Sequence, residues 1–327
     1  MGAPAGYVAT WSPVCSHLST GFVATITLMG AGLVCVGVID VGSNTVRLLL
    51  ASAHGSQLRA IREGKAWIGL GSDVAACGWI SDPALDAVAE TVADFAAEAR
   101  RAGCARLEVL VASPGRQAAN GSELVRRLEA AAHTGVRLLR RDEEARLAFE
   151  GAIAAAGLEG KSVAVCDVGG GSTQIAIGTP GGGPTWLHSV DIGSLQLTVQ
   201  AFDRDPPGKK AVGAARRLVA EQFDGLAPPL PKHAVVVGGS ARGLRRLVGT
   251  RTLQRAHVDA VVRQLRKRPS VEIAGAYAID PERARTLLAG ALIISHLQLR
   301  LAVPLVIGRG GVREGAALAL AARQLAA

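Results

Sequence analysis

Aromatic side chains are scarce in this chain: its 327 residues include four tryptophans, two tyrosines and five phenylalanines. Hydrophobic residues nevertheless make up 49% of the sequence, so the cores must be assembled largely from Ala, Val, Leu and Ile, a globular composition. The same scarcity removes one class of function. Nucleic-acid readout draws on basic segments interleaved with aromatic side chains that stack on bases, and the chain contains no such block. The formal net charge of +9 is carried mostly by dispersed arginines. These attract polyanions without base specificity, or simply solvate the surface.

Metal-binding and disulfide frameworks are missing too. The five cysteines, Cys15, Cys35, Cys77, Cys104 and Cys166, are odd in number and show neither CxxC nor Cys/His spacing, so they read as buried thiols in a reducing compartment. The seven histidines occur singly, which gives a zinc site or a Ser/His/Asp triad no support. Charge is absent from the first 35 residues, and Phe22 to Ile39 is an uncharged run of about membrane-spanning length. A secretion signal needs an early positive charge, whereas the first basic side chain is Arg47. The run also ends in the strand that delivers Asp40, and a strand cannot at the same time be a spanning helix. We therefore expect residues 1–33 to be a disordered tail or, preferably, the product of a start codon upstream of a true initiator at Met29. The protein is expected to be cytoplasmic, with no membrane partner.

Two Gly/Ser-rich turns dominate what is present. An apolar strand, Val34 to Ile39, delivers Asp40-Val41-Gly42-Ser43-Asn44-Thr45, and a second, Ser162 to Cys166, delivers Asp167-Val168-Gly169-Gly170-Gly171-Ser172-Thr173, 127 residues later. Each turn leads into another β-rich segment, Val46 to Leu50 or Ile175 to Ile177. Glycine lets successive N–H groups converge on an anion, and an aspartate at a strand end can hold a hydrated divalent cation. One such turn is weak evidence; two spaced by a domain length point to a duplicated fold with a phosphate site between the halves.

Length and pattern divide the chain into domain I, residues 34–158, and domain II, residues 159–327. The order βββαβαβα is complete after a helix from Glu143 to Ala156 and then starts over. Asp82 before Pro83 reads as the N-cap of a helix reaching Ala102, and residues 250–285 read as a helical insertion. This is an α/β class with a duplicated βββαβαβα unit, resembling the ribonuclease H-like superfamily of actin, sugar kinases and heat-shock ATPases, whose ligands lie in an interdomain cleft.

At motif level the chain resembles the exopolyphosphatase and guanosine pentaphosphate phosphatase family, in its short, two-domain form. The matching blocks are IDVGSNTVRLLL (39–50), VASPGRQAANGSEL (111–124), EEARLAFEGA (143–152), VCDVGGGSTQIAIG (165–178), VDIGSLQLT (190–198), AGALI (289–293) and VREGAAL (312–318). The resemblance implies hydrolysis of a terminal phosphoanhydride, chemistry that asks mainly for positioned water, a metal and donors around the phosphoryl oxygens. Asp40 and Asp167 are then the expected holders of Mg²⁺ or Mn²⁺, or else ordinary turn caps. The N–H groups of Gly42, Ser43 and Asn44, and of Gly169, Gly170, Gly171 and Ser172, cradle phosphates or close hairpins. Arg47 and Arg116 carry the fork that suits phosphate oxygens, or lie on the surface. Asn120 is either a phosphate contact or the N-cap of its helix. Glu144 matches the family's water-activating carboxylate, with Glu143 the solvated first-turn residue. Gly239, in Gly238-Gly239-Ser240, serves phosphate through a helix N-terminus or tight packing, and Arg313-Glu314-Gly315 reads as a helix start.

One residue departs from the family pattern: Gln174 stands where glutamate is usual, and glutamine can orient water but cannot take its proton. The expectation is an Mg²⁺-dependent hydrolase releasing orthophosphate from inorganic polyphosphate, with Glu144, Gln174 and Arg116 as catalytic residues. The alternatives are a guanosine pentaphosphate or nucleoside triphosphate hydrolase, and a catalytically impaired polyphosphate- or alarmone-binding protein. No specific nucleic-acid partner is expected, and a homodimer is implied by the resemblance alone.

Overall fold

The computed structural model of the protein describes residues 9–10, 34–54, 57–156 and 160–325. The tail expected over residues 1–33 lies outside them, except for the two-residue strand β1 (Ala9–Thr10). In the first part of the chain β2 (Val34–Val41), β3 (Thr45–His54) and β4 (Gln57–Trp67) form an antiparallel meander. Helices α1 (Leu70–Cys77) and α2 (Asp82–Arg101) lead to β5 (Arg106–Val111), and α3 (Ser113–Gln117) and α4 (Gly121–Ala132) lead to β6 (Val136–Leu138). The resulting sheet is ordered β1-β4-β3-β2-β5-β6, with β5 parallel to β2 and β6 parallel to β5.

After α5 (Arg141–Ala156) the meander recurs as β7 (Val163–Val168), β8 (Thr173–Thr179) and β9 (Gly183–Val190). Helices α6 (Ser194–Ala201) and α7 (Lys209–Gln222) precede β10 (His233–Val237), which is parallel to β7. The chain continues through α8 (Gly239–Val248), β11 (Thr252–Leu253), α9 (Arg255–Leu265), α10 (Ser270–Tyr277), α11 (Pro281–Leu301), β12 (Leu305–Ile307) and α12 (Val312–Leu325). This sheet is ordered β11-β12-β10-β7-β8-β9. Without β1 and β11, the two sheets share one topology, the duplicated α/β fold that the element order predicts.

Strands β2 and β7 sit inside their sheets and are apolar on both faces, as strands covered by two layers must be: Val36, Val38, Ile39 and Val41 are buried, as are Val163, Ala164, Val165 and Cys166. Helix α2 lays Leu85, Val88, Val92, Phe95, Ala96 and Ala99 against the first core. Helix α11, with Pro281 in its first turn and an Asp280 cap that accepts from the Glu282 N–H at 3.2 Å, is the buried spine of the second core.

The chain divides into two compact units, residues 1–139 with 316–327 and residues 140–315. The division thus falls ahead of α5, where the sequence placed it after residue 158. The reason is packing: α5 buries Ala145, Phe149 and Ala152 against Val163, Val165, Ala176, Val235 and Val237 of the second sheet. Likewise the end of α12 belongs to the first unit, where Arg323 meets Glu108 at 3.3 Å. Asp82 does not cap α2. Ser81 occupies that position without a side-chain cap bond, because its hydroxyl donates to Asp73 at 2.6 Å, while the Asp82 carboxylate takes Arg127 at 2.9 Å. The insertion over 250–285 contains β11, α9, α10 and the first turn of α11. The cysteines are not uniformly buried: Cys166 is, Cys35 and Cys104 are partly exposed, and Cys77 is exposed.

Candidate active site

Both glycine turns adopt the same geometry. Asp40 pairs across the hairpin with Arg47, and Asp167 pairs with Gln174. Directly opposed residues in an antiparallel pair share a face, so each unit sets an aspartate beside a longer polar side chain at the mouth of its turn. Within the turns, the Gly42 N–H donates to the Thr45 carbonyl at 3.1 Å and the Gly169 N–H to the Ser172 carbonyl at 3.0 Å. These first glycines therefore close the hairpins, which corrects their assignment as phosphate donors. The remaining candidates are the N–H groups of Ser43 and Asn44 in one turn and of Gly170, Gly171 and Ser172 in the other.

A helix start docks on the carbonyl side of each turn. In the first unit the N–H groups of Ile68 and Gly69 donate to the Asn44 carbonyl at 3.1 Å, and Gly71 donates to Ser43 at 2.8 Å. In the second, Ser194 donates to the Gly169 carbonyl at 2.9 Å, and Leu195 and Gln196 donate to Gly170 at 2.9 and 3.0 Å. The first N–H groups of α6, Ser194 to Gln196, are thus satisfied by the second turn, and the Gly71 N–H of α1 by the first. At Gly193, before α6, a Cβ would collide with the Gly170 carbonyl group, so this close approach requires glycine.

In the first unit the Ser43 hydroxyl bonds that of Ser113 at 2.9 Å. Arg116, on α3, donates from Nη1 to the Leu139 carbonyl at 2.7 Å, which anchors one edge of its guanidinium. Asn120 occupies the N-cap position of α4, as the second of its offered roles has it, but its side chain is used elsewhere. Its amide clamps the backbone of Ile80, accepting from the N–H at 3.0 Å and donating to the carbonyl at 2.8 Å, and it makes no side-chain cap bond to α4. With both polar ends committed to a buried loop, Asn120 leaves the substrate-binding set.

In the second unit Asp167 ends β7 beside Gly238, where φ is 96° and a Cβ would lie 2.8 Å from the Asp167 Oδ1 and 2.7 Å from the Val168 carbonyl oxygen. Gln174 is 1% exposed, and its Nε2 donates to the hydroxyls of Ser172 at 2.8 Å and Ser189 at 3.2 Å. That anchoring leaves Oε1 as the acceptor end of a fixed amide. Glu144 is buried in the first turn of α5, whereas the Glu143 carboxylate accepts from the Arg140 N–H at 2.9 Å and caps the chain entering that helix. Gly239 opens α8 under the guanidinium of Arg283, which fills the space a Cβ would take. Burial and the neighbouring Arg242 push that guanidinium down to about 10.

No cluster of three or more His, Cys, Asp or Glu suited to a metal ion occurs among the described residues. Mg²⁺ needs less than such a cage, since one or two carboxylates with waters and substrate phosphates suffice. Asp167 fits that requirement. Its Oδ2 and the Glu314 Oε2 lie 3.8 and 3.9 Å from the point where Gly311 would carry a Cβ, so the two carboxylates border one gap kept open by glycine.

The description "Ppx/GppA phosphatase family" belongs to the family model that matches residues 49–324. The chain belongs to that family. It is 28% identical over 297 residues to exopolyphosphatase 1 of Mycobacterium tuberculosis, with 86% of each chain covered. Its identity to exopolyphosphatase 1 of Mycobacterium leprae is 30% over 299 residues, covering 86% of this chain and 87% of that one. Among solved structures, the Aquifex aeolicus Ppx/GppA family member superposes with a TM-score of 0.76 at 23% identity over 89% of this chain and 99% of that one. An exopolyphosphatase from Cytophaga hutchinsonii gives 0.81 at 20% identity over 88% and 98%. At these identities the structures speak for the fold.

In this Ppx/GppA family member the fold brings to the site three residues without a local sequence signal. Glu314 stands in the VREGAAL block and was read as a helix start; its position beside Gly311 and Asp167 follows only from the fold. Arg283 lies in the stretch taken as an insertion, and nothing local ties it to Gly239. Ser189 carries no motif signal, although it fixes Gln174. No helix among the described residues is long and apolar enough to cross a membrane.

Proposed function

We propose that this Ppx/GppA phosphatase hydrolyses the terminal phosphoanhydride bond of inorganic polyphosphate and releases orthophosphate by in-line attack of water, with Mg²⁺ or Mn²⁺ bound. Its strongest support is the repeated register of Asp40 with Arg47 and Asp167 with Gln174 at two turns of the same geometry, in a family whose named relatives include exopolyphosphatases. The first unit supplies the Ser43 and Asn44 N–H groups and the cations Arg47 and Arg116. The second supplies the Gly170 to Ser172 N–H groups, Glu144 as the group that orients water and takes its proton, and Gln174 as a neutral acceptor that steers it. Phosphoryl transfer has a loose transition state with charge spread over three equatorial oxygens, so positioned donors and cations account for most of the catalysis. Asp40 in the first unit and, in the second, Asp167 with Glu314 are the carboxylates that would hold a metal, which when bound would neutralise charge on the phosphoryl oxygens.

Purified full-length protein is expected to release orthophosphate from polyphosphate with Mg²⁺ or Mn²⁺. Replacement Glu144→Gln should lower kcat by about 10²- to 10⁴-fold, with a much smaller change in KM. No release with any divalent metal would refute the proposal. A kcat/KM for guanosine pentaphosphate or ATP well above that for short polyphosphate would reassign the substrate. One observation favours a second reading, a polyphosphate- or alarmone-binding protein with impaired turnover: the amide of Gln174 occupies the place of the family's usual carboxylate.

A further inference from the structure

Cys35, near the start of β2, and Cys104, on the turn into β5, lie with their Sγ atoms 3.1 Å apart. Sixty-nine residues separate them in sequence; the parallel pairing of β2 with β5 brings them together, and the Ala105 N–H donates to the Cys35 carbonyl at 2.9 Å beside them. Both side chains are partly exposed. A disulfide has sulfurs at about 2.05 Å, so bonding needs an approach of about 1 Å, which side-chain rotation supplies while the strands stay paired. We propose that Cys35 and Cys104 form a reversible dithiol–disulfide site, oxidised by peroxide, that staples β2 to the entrance of β5.

The two thiols are not equivalent. The hydrogen bond from the Cys104 thiol holds Cys35 below the ordinary thiol range against the opposing effect of burial, and the same bond, with burial, raises Cys104. We assign the first attack to Cys35; attack by Cys104 would form the same bond. Cys35 Sγ attacks one oxygen of hydrogen peroxide; the S–O bond forms, the O–O bond breaks, and the departing hydroxide leaves as water with the thiol proton. Cys104 Sγ then attacks the sulfenic sulfur of Cys35. The S–S bond forms, the S–O bond breaks, and a second water leaves with the Cys104 proton. Two thiols have lost two electrons and two protons, and one peroxide has become two waters. Neither other described cysteine offers this pairing: Cys166 lies buried in the second unit, its thiol pushed up to about 12 by burial and by Asp167, and Cys77 is exposed.

Asp40 lies five positions beyond Cys35 along β2, about 17 Å of extended chain. The bond is thus expected to act on stability and to leave turnover unchanged. It would close residues 35–104 into a loop holding β3, β4, α1 and α2, long enough for a substantial loss of unfolded-state entropy.

The test uses full-length protein, reduced and then treated with stoichiometric hydrogen peroxide. Peptide mapping should find one linked pair carrying Cys35 and Cys104, two hydrogens lighter and reversed by dithiothreitol. The unfolding temperature should rise by something on the order of 5–10 °C. Cys104→Ser should leave Cys35 trapped as a sulfenic acid that dimedone labels. The proposal is overturned if wild-type oxidation yields only intermolecular Cys77 dimers or over-oxidised thiols, or if the Cys35–Cys104 link forms without raising the unfolding temperature. Mapping of the wild-type protein decides the bond even if a serine variant fails to fold.

Discussion

Replacing Gly193 with alanine tests whether the second glycine turn is held by α6. The backbone there is extended, with φ −130° and ψ 174°, so alanine adopts it freely and the cost comes from collision alone. The new Cβ meets the Gly170 carbonyl group and the Gly171 nitrogen, all backbone atoms that cannot rotate aside. To relieve the contact, α6 must retreat from the turn. That weakens the bonds from Ser194, Leu195 and Gln196 to the Gly169 and Gly170 carbonyls, together with the 3.1 Å bond from the Ser194 hydroxyl to Gly169. Overpacking of this kind costs about 1–3 kcal/mol, and each weakened bond about 1 kcal/mol at most. A loss of about 3–5 kcal/mol is expected, a large part of the ~5–15 kcal/mol that stabilises a domain. Urea unfolding of the full chain reads it as a lower midpoint for the second unit's transition, with Ser194→Ala, expected to cost about 1 kcal/mol, as the mild comparison. Polyphosphate hydrolysis should fall in the folded variant. A Gly193→Ala protein within about 0.5 kcal/mol of wild type and fully active would refute the close docking of α6 on the turn.

Asn120→Ala should destabilise the first unit by about 2–4 kcal/mol, because it strips both partners from the Ile80 peptide groups; KM should stay unchanged, whereas a rise in KM on a normally stable variant would return Asn120 to the substrate. Gln174→Glu should fold normally, since the Ser172 and Ser189 hydroxyls that accept from the amide can rotate to donate to a carboxylate. If turnover is impaired by the missing carboxylate, the same variant raises kcat by about tenfold or more, and full wild-type activity removes that reading. The Glu123 carboxylate on α4 is held at about 2, below its ordinary 4.5, by hydrogen bonds from Arg126 and Arg127. Its stabilisation is present above pH 4.5 and is lost as pH falls towards 2. Glu123→Gln should therefore be slightly less stable than wild type at neutral pH, with a salt-sensitive difference that closes over that window; a difference independent of pH would contradict it.

The two aspartate turns were legible because their signal is local: an apolar strand, an aspartate and four turn residues suffice. The pairing of Asp40 with Arg47 and of Asp167 with Gln174 could also have been read, since both spacings are seven residues and a hairpin of fixed turn length sets its own register. Asn120 stands at the N-cap where the pattern puts it, and only the folded loop at Ile80 reveals the partner its side chain takes. The boundary near residue 139 was out of reach for a related reason. Helix α5 carries apolar residues that fit any sheet, and which sheet receives them is a tertiary choice. Glu314, Arg283 and the contact between Cys35 and Cys104 depend on pairings between distant elements that carry no local mark.

In a planar trans peptide the carbonyl of one residue and the N–H of the next point in opposite directions. Helix starts tie down the carbonyls of Ser43 and Asn44 in the first unit and of Gly169 and Gly170 in the second. Tying them also aims the N–H groups that follow within the turns, Asn44 in the first and Gly170 and Gly171 in the second, the other way. Each turn thereby becomes a polarity relay: the positive end of the helix start is passed, peptide dipole to peptide dipole, to N–H groups on the far side of the turn. If the proposed phosphate binds there, it would meet donors already oriented, their aim set by the helix starts on the other side of the turn.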